Sequence, residues 1–350
     1  MIHEQESVLI AYGIDSSNAT YETISSGLIN PTWKITSGKN QFILQRINTT
    51  IFHEPEKLAV NIRLLADYSA QNYPEYLFIS PIQLTDGNEI VTHQNSVYRL
   101  FPFVKNSHTI TSVETSTQAY EAAFQFGKFT SVFSGFNSTT LHSTIPYFHN
   151  LSFRFQQIKS ALQNGNPARI KECATEIKQI KDYLYLVDWY EKIKTDSKFK
   201  LRVTHHDTKI SNVLFDSNDK GICVIDLDTV MPGYFISDVG DMLRTYLSPT
   251  TEEENDFSRI YIRKEFFEAI VKGYLTGMDG RLTEVERNSI FLAGPFLIYM
   301  QAMRFLTDYL LNDIYYGASY EGQNLIRSRN QLYLLQTLLK QEQELRQFVS

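Results

Sequence analysis

The chain has 350 residues, with 33 Lys+Arg against 39 Asp+Glu for a formal net charge of −6, and 43% of its residues are hydrophobic. That content fills a sizeable core and excludes a disordered or fibrous chain, while the mild acidic excess argues against nucleic acid as a partner, because such binding takes a basic face. At roughly 150 residues per domain, the length points to about two domains or one large bilobal unit. The longest apolar-rich stretch, Phe291–Leu306, carries Gly294, Pro295, Gln301 and Arg304 and is too short to span a bilayer, so no membrane partner is expected. The first six residues have neither the basic nor the apolar region of an export signal. Cys173 and Cys223 are too few for a disulfide framework or a zinc cage, and a reduced cytoplasmic location is the expectation.

Residues 20–105 read as short alternating segments between turns. Trp33–Thr36 and Phe42–Ile47 flank Ser37-Gly38-Lys39-Asn40, which can close a hairpin. Pro55–Tyr68 sets Leu58, Ile62, Leu65 and Ala66 on one helical face. Asp86-Gly87 marks a turn, after which Glu89–Thr92 and Val97–Phe103 form a second hairpin around His93–Ser96. The spacing therefore predicts an antiparallel sheet carrying one main helix. After residue 110 the pattern turns helical. Thr115 and Gln118 form a capping box ahead of Ala119, Ala122, Phe126, Phe129 and Phe133, and apolar residues from Ile170 to Tyr190 predict a helix over 168–194. Further helices are predicted at about 252–275, 283–312 and 321–347, with Thr283 and Glu286 as a second capping box and a kink or break at Pro295. The fold class is α+β. One β-like interruption, Val213–Phe215 and Ile222–Leu227 around the turn Asp216–Gly221, sits inside this helical half.

The candidate chemistry concentrates there. Residues 204–212 contain H-x-D-x-K-x-x-N, and the hairpin that follows ends in Ile225-Asp226-Leu227-Asp228. These residue types match the parts that phosphoryl transfer from ATP to a hydroxyl requires. Asp207 can orient the hydroxyl and accept its proton, Lys209 can offset charge on the transferring phosphate, and Asn212 with Asp226 can hold magnesium once the hairpin returns Asp226 beside Asn212. Strand alternation would put Asp228 on the face of Asp226, as a third metal candidate or as a plain salt bridge or helix cap. His, Asp and Asn in loops ordinarily bind their own backbone. Here the motif, the lysine, the hairpin, the strand-terminal Asp and an upstream β segment occur together, and that conjunction favours chemistry.

The segment 203–241 resembles the aminoglycoside phosphotransferase and choline kinase branch of the protein-kinase-like fold. More narrowly, THHDTKISNVLFD, VIDLDTVMPG and DVGDMLR resemble the bacterial N-acetylhexosamine 1-kinases. GLINPTWKI, FILQRIN, YRLFPFV and GKFTSVFSGF fall where that family has its phosphate-facing loop, third strand, hinge and first large helix, so the likeness runs from about residue 10 to 345. The resemblance implies a bilobal fold with a nucleotide lobe over 1–104 and a helical lobe holding the acceptor pocket over 105–350, in a monomer or weak homodimer. It implies ATP and magnesium as cofactors and an amino sugar, N-acetylglucosamine or N-acetylgalactosamine, phosphorylated at its anomeric hydroxyl. By position, Asp207 is then the base, Asn212 and Asp226 the magnesium ligands, and His205 an orienting residue, a position where bracing by hydrogen bonds is the ordinary role.

Two departures from the protein-kinase pattern stand out. The third strand reads Phe42-Ile43-Leu44-Gln45-Arg46-Ile47-Asn48, so Arg46 would have to serve for the usual lysine, and Glu54 and Glu56 stand at the start of the helix in which its partner is expected, with no glutamate in the body of that helix. The loop Ser25–Thr32 has one glycine, leaving Ser26, Asn30 and Thr32 to cap phosphates unless they are ordinary turn residues. Adenine is expected against the backbone of Phe101–Val104, which makes Phe101 and Phe103 cofactor candidates. The resemblance places acceptor contacts in Tyr299–Tyr316, where Arg304, Asp308 and Tyr315 supply polar groups and an aromatic face; an Arg304–Asp308 pair along the helix is the plainer alternative. Asp238 and Asp241 are expected to anchor the catalytic loop. Two other functions remain open: an amino-alcohol or aminoglycoside phosphotransferase, against whose cationic acceptor Arg304 weighs, and a nucleotide-binding pseudokinase, against which the intact Asp207, Asn212 and Asp226 weigh.

Overall fold

Alternating apolar residues in the first hundred positions build a five-stranded antiparallel sheet of order β1-β2-β3-β5-β4, comprising β1 Thr20–Ile24, β2 Thr32–Ser37, β3 Asn40–Ile47, β4 Ile90–His93 and β5 Ser96–Pro102. The computed structural model describes residues 2–24 and 29–349. The β4–β5 turn places Gln94 and Asn95 both at positive φ (46° and 65°), the two-residue geometry whose twist matches antiparallel strands. Helix Pro55–Asn72 lies between β3 and β4 with Pro55 at its first position, and it buries Leu58, Ile62, Leu65 and Ala66, the face that the spacing predicts. Period two divides the sheet residues between two environments. Ile35, Leu44, Tyr98 and Leu100 are buried with Val8 and Leu9 of an N-terminal helix, Ile2–Ala11, whose weak apolar stripe the sequence reading passed over. Thr32, Ile43, Gln45 and Phe101 face the cleft on the other side.

The rest of the chain is mostly helical and forms the main core. Helix Ser116–Val132 opens with the Thr115/Gln118 capping box and packs against Lys264–Met278, so closely that a Cβ at Gly127 would lie 2.5 Å from the Tyr274 carbonyl. The predicted helix over 168–194 is three pieces, Pro167–Glu172, Ala174–Asp182 and Tyr185–Thr195. The breaks let Cys173 and Ile180, then Leu186, Val187, Tyr190 and Ile193, each reach the core. Helix Leu151–Asn164 escaped the sequence reading because one of its four buried positions, Arg154, is an arginine and thins the apolar stripe. Residues 252–263 are largely non-helical, and the last long helix is Gln323–Lys340 followed by a short turn of helix at Glu342–Leu345.

Helix Ile290–Leu310 runs through Pro295 without ending; the break falls earlier, at Ser289, after the capped turn Glu284–Asn288. It is the one described helix long and apolar enough to cross a membrane, and 89% of that window is buried inside the fold, as expected of a central core helix. Two small ribbons sit on the helical half. One has β6 His108–Thr109, β8 Val213–Phe215 and β9 Gly221–Val224; the other pairs β7 Arg202–Thr204 with β10 Met231–Gly233. The second strand of the predicted hairpin thus ends at Val224, three residues before the expected Leu227.

Candidate active site

The catalytic loop leaves β7 at Thr204 and is shaped by carboxylates from the helix Ile236–Tyr246. Asp238 accepts the backbone N–H groups of His205 (3.0 Å) and His206 (2.8 Å), and Asp241 accepts that of Thr208 (2.8 Å). Thr208 Oγ1 donates to the Asp238 carbonyl and Tyr246 Oη to the Thr208 carbonyl. These bonds satisfy buried backbone groups that no strand or helix serves. His205 is fully buried; its Nε2 lies 3.0 Å from the Ile225 carbonyl, and its Nδ1 accepts the Asp207 N–H. Its ring stands edge-on to Phe126 and Phe129, and burial holds it below the usual histidine range. These contacts brace the loop, the arrangement expected of an orienting residue. His206 adopts φ 67°, its Nε2 sits 2.7 Å from Thr204 Oγ1, and burial pushes its pKa down to about 3.

What the loop presents is Asp207. Its carboxylate is 27% exposed, with Lys209 Nζ 3.0 Å from Oδ2. Asn212 Nδ2 donates to the Asp207 carbonyl (2.8 Å) and to Oδ2 (3.0 Å). Burial works against charge on Lys209, but Asp207 and Asp226 outweigh it and hold the ammonium above the ordinary lysine range. The Ile225 N–H donates to the Asn212 carbonyl at 2.9 Å, extending the β8–β9 ladder so that Asp226 follows directly beside Asn212. Asp226 then turns left-handed (φ 61°, ψ 60°) into the 3-10 turn Leu227–Thr229. The hairpin therefore gathers Asp207, Lys209, Asn212 and Asp226 around one point of the cleft.

Three other candidates are placed differently. Because the strand has already ended, alternation does not apply to Asp228, which is 2% exposed and bound through both oxygens to the Arg99 guanidinium. Asn30 Nδ2 also donates to Asp228 Oδ2 at 2.7 Å, while Asn30 Oδ1 accepts the Asn48 N–H. Asp228 is thus an inter-lobe ion pair and not a metal ligand, and Asn30 is committed to it and not to a phosphate. Arg46 lies on the β3 face of Leu44, opposite Tyr98 and away from the cleft; the cleft-facing residue is Gln45, whose Oε1 accepts from Arg99 Nε (3.1 Å) and Nη2 (2.9 Å). Thr32 lines the cleft and donates to the Asn30 carbonyl. Ser26 lies outside the described residues.

Between the sheet and the β8–β9 hairpin is a cavity of about 270 Å³. Ile43, Phe101, Leu214 and Leu227 give it apolar walls, Phe101–Val104 close one side, and Lys209, Asn212 and Asp226 stand at its polar end. A flat base between apolar walls with phosphates toward the polar end suits this shape. The donor set also fits a hard divalent cation. No hydrogen bond reaches the Asp226 carboxylate among the described residues, and burial, then Asp228 and Asp207, push its pKa up to about 7, a repulsion a cation would relieve. No group of three or more His, Cys, Asp or Glu suited to a metal occurs among the described residues. A cation here would take Asn212 Oδ1 and Asp226 from the protein and its other oxygens from phosphate and water.

Next to His206 lies a cluster of cations and rings, joined to the catalytic loop where His149, stacked on Phe148, comes within 3.5 Å of His206. Arg304 stands 5.4–5.9 Å from the rings of Phe148, Tyr315 and Tyr316, and its Nη1 donates to Gln301 Oε1. Arg154 is buried, donates to Gln157 and the Phe148 carbonyl, and is pushed down to about 10 by burial and by Arg304. No salt bridge involves Arg304 or Arg154 among the described residues. The carboxylates nearby are already engaged. Arg244 pairs with Asp241 and Glu252, and Arg327 pairs with Glu252. Asp308 does not pair with Arg304; it is 3% exposed and accepts the N–H groups of Tyr315 (2.7 Å) and Tyr316 (2.9 Å), fixing the loop that carries them. That corrects Asp308 from an acceptor contact to a loop anchor, while Tyr315 is 67% exposed.

Residues 20–281 match the family model described as the phosphotransferase enzyme family. The chain belongs to that family. Among solved structures of this fold, a microcompartment-associated aminopropanol kinase aligns at TM-score 0.64 and 16% identity over 99% of this chain and 98% of its own. Spectinomycin phosphotransferase in complex with ADP and spectinomycin aligns at 0.59 and 15%, over 97% of each chain. Choline kinase from Cryptosporidium parvum Iowa II aligns at 0.57 and 12%, over 94% of this chain and 92% of its own. The α+β expectation holds, and this phosphotransferase has the protein-kinase-like arrangement of an antiparallel sheet lobe above a helical lobe. Arg304, Tyr315 and Tyr316 lie beyond the matched residues. The sequence reading missed Arg99, although a charge at an inward position of V-Y-R-L-F was a signal. Phe148, His149 and Arg154 carried none, because only the fold brings their segment to the site.

Proposed function

We propose that this phosphotransferase moves the γ-phosphoryl group of ATP to the anomeric hydroxyl of a free N-acetylhexosamine with magnesium, using residues 1–104 for the nucleotide and 105–350 for the acceptor. The observation that carries the reading is the cluster next to His206, the residue before Asp207, where Arg304 and Arg154 have no carboxylate partner among the described residues and Arg304 stands over the rings of Phe148, Tyr315 and Tyr316. A cationic amino alcohol or aminoglycoside would meet two guanidiniums there, whereas a neutral, hydroxyl-rich ring finds donors for its oxygens and a surface for its apolar face.

In this reading Asp207 orients the attacking hydroxyl and accepts its proton. Lys209 faces the transferring phosphoryl group, and Asn212 with Asp226 would hold magnesium, whose charge offsets that of the phosphates. Catalysis by such parts is mainly placement and electrostatics. The test is incubation with ATP, magnesium and, separately, N-acetylglucosamine, N-acetylgalactosamine, choline, ethanolamine and kanamycin, read by phosphorus NMR. An anomeric phosphate formed from an amino sugar is expected; phosphocholine or phosphokanamycin as the preferred product would overturn the assignment.

A further inference from the structure

The cleft-facing position of β3 holds Gln45, an uncharged residue, and the cation at this level of the sheet comes from the neighbouring strand. Gln45 and Arg99 are direct partners across the β3–β5 ladder. The Arg99 guanidinium is 2% exposed and divides its donors between Gln45 Oε1 and both oxygens of Asp228. Asn30, at the foot of β2, adds a further bond to Asp228. Strands of the sheet lobe thus converge on one carboxylate of the helical lobe, two residues beyond Asp226.

We infer that Arg99 is the positioning residue of the metal site: through Asp228 it holds the turn that presents Asp226, and it sets how the sheet lobe sits over that turn. The inference rests on Asp226 being a metal ligand. Asp226 is non-glycine and left-handed, an uncommon backbone state that its neighbours must hold in place. On its N-terminal side Ile225 is tied to Asn212, and on its C-terminal side Val230 N–H donates to the Leu227 carbonyl and Thr229 Oγ1 to the His205 carbonyl. The remaining restraint is the Asp228 side chain, and Arg99 is the only cation paired with it among the described residues.

Charge argues the same way. Asp207, Asp226 and Asp228 crowd one region, where Lys209 pairs with Asp207 and Arg99 with Asp228. Arg99 thus neutralises Asp228 and leaves Asp226 free to meet a cation. It also accounts for Gln45. A lysine there would set two cations side by side and remove the oxygen that accepts two guanidinium N–H groups, so Gln45→Lys is expected to break the clamp and not to create a phosphate-gripping lysine.

The experiment uses full-length protein and Arg99→Met, Arg99→Lys, Asp228→Asn and Asp226→Asn, with folding checked by circular dichroism. Binding of Mn²⁺ in the presence of ADP is followed by electron paramagnetic resonance, which requires no turnover, and kcat and acceptor KM are measured separately. Arg99→Met is expected to weaken Mn²⁺ binding about tenfold or more and lower kcat, with acceptor KM within about twofold. Arg99→Lys should recover part of both; if the methionine variant does not fold, Arg99→Lys and Asp228→Asn decide, with a smaller loss of Mn²⁺ binding expected. Unchanged Mn²⁺ binding in the folded Arg99 and Asp228 variants, while Asp226→Asn abolishes it, overturns the inference and leaves the metal assignment standing. Unchanged binding in Asp226→Asn overturns both.

Discussion

Gly233→Ala tests whether the catalytic loop depends on packing behind it as well as on its own residues. Gly233 ends β10, and an added Cβ would lie 2.5 Å from His206 Cε1 and 2.6 Å from Nε2, in addition to meeting Thr204 Oγ1. Carbon contacts relax near 3.5 Å, so the imidazole must retreat by about 1 Å. That retreat breaks its 2.7 Å contact with Thr204 and presses on a left-handed residue whose N–H is bound by Asp238. Overpacking of this kind costs about 1–3 kcal/mol of stability. The next residue is Asp207, and a misplacement of about 1 Å there costs roughly 100-fold in rate. Gly233 does not line the cavity under the sheet, so ATP affinity should stay within about threefold. Thermal unfolding, kcat and ATP binding measured on one preparation check all three. An alanine variant with wild-type kcat and an unshifted unfolding midpoint would show that the loop is not held from behind, and the argument fails.

Other expectations follow from the same geometry. Asp207→Asn should lower kcat by about 10²–10⁴, with ATP affinity within about tenfold, because acceptor orientation and proton acceptance are lost while the nucleotide walls remain; single-turnover kinetics and calorimetry check it. Arg304→Ala should raise acceptor KM far more than ATP KM, and the reverse pattern would remove Arg304 from the acceptor side. His149 is half-buried 3.5 Å from His206, and loss of solvent around its ring, then His206 and the surrounding arginines, hold its pKa well below 6.5. The unfolded chain therefore takes up a proton below about pH 6.5 that the folded His149 refuses, and stability falls as pH falls. His149→Asn should make unfolding free energy, from urea melts between pH 5 and 6, less steep in pH by about 1.4 kcal/mol per unit. Asp226, Asp238 and Asp241, raised by burial, act in the opposite sense, so the variant difference is the quantity to read.

Much of this protein could be read locally. Both capping boxes occur where Thr115-x-x-Gln118 and Thr283-x-x-Glu286 predict them, because a cap involves only residues three apart. The hairpin after Asn212, and with it the approach of Asp226, follows from two short β-forming runs and a polar turn. The sequence could not by itself say which face of β3 meets the cleft. A one-residue shift moves every side chain to the other side of a strand, and packing of Leu44 against Val8 and Leu9 turned Arg46 away and Gln45 inward. Nor could it pair Arg99 with Asp228 across 129 positions, or set Asp308 against the N–H groups of Tyr315 and Tyr316 instead of Arg304. Local spacing determined the elements and the motif. Only the tertiary structure decided which charges meet, because a buried charge takes whichever partner the packing delivers to it.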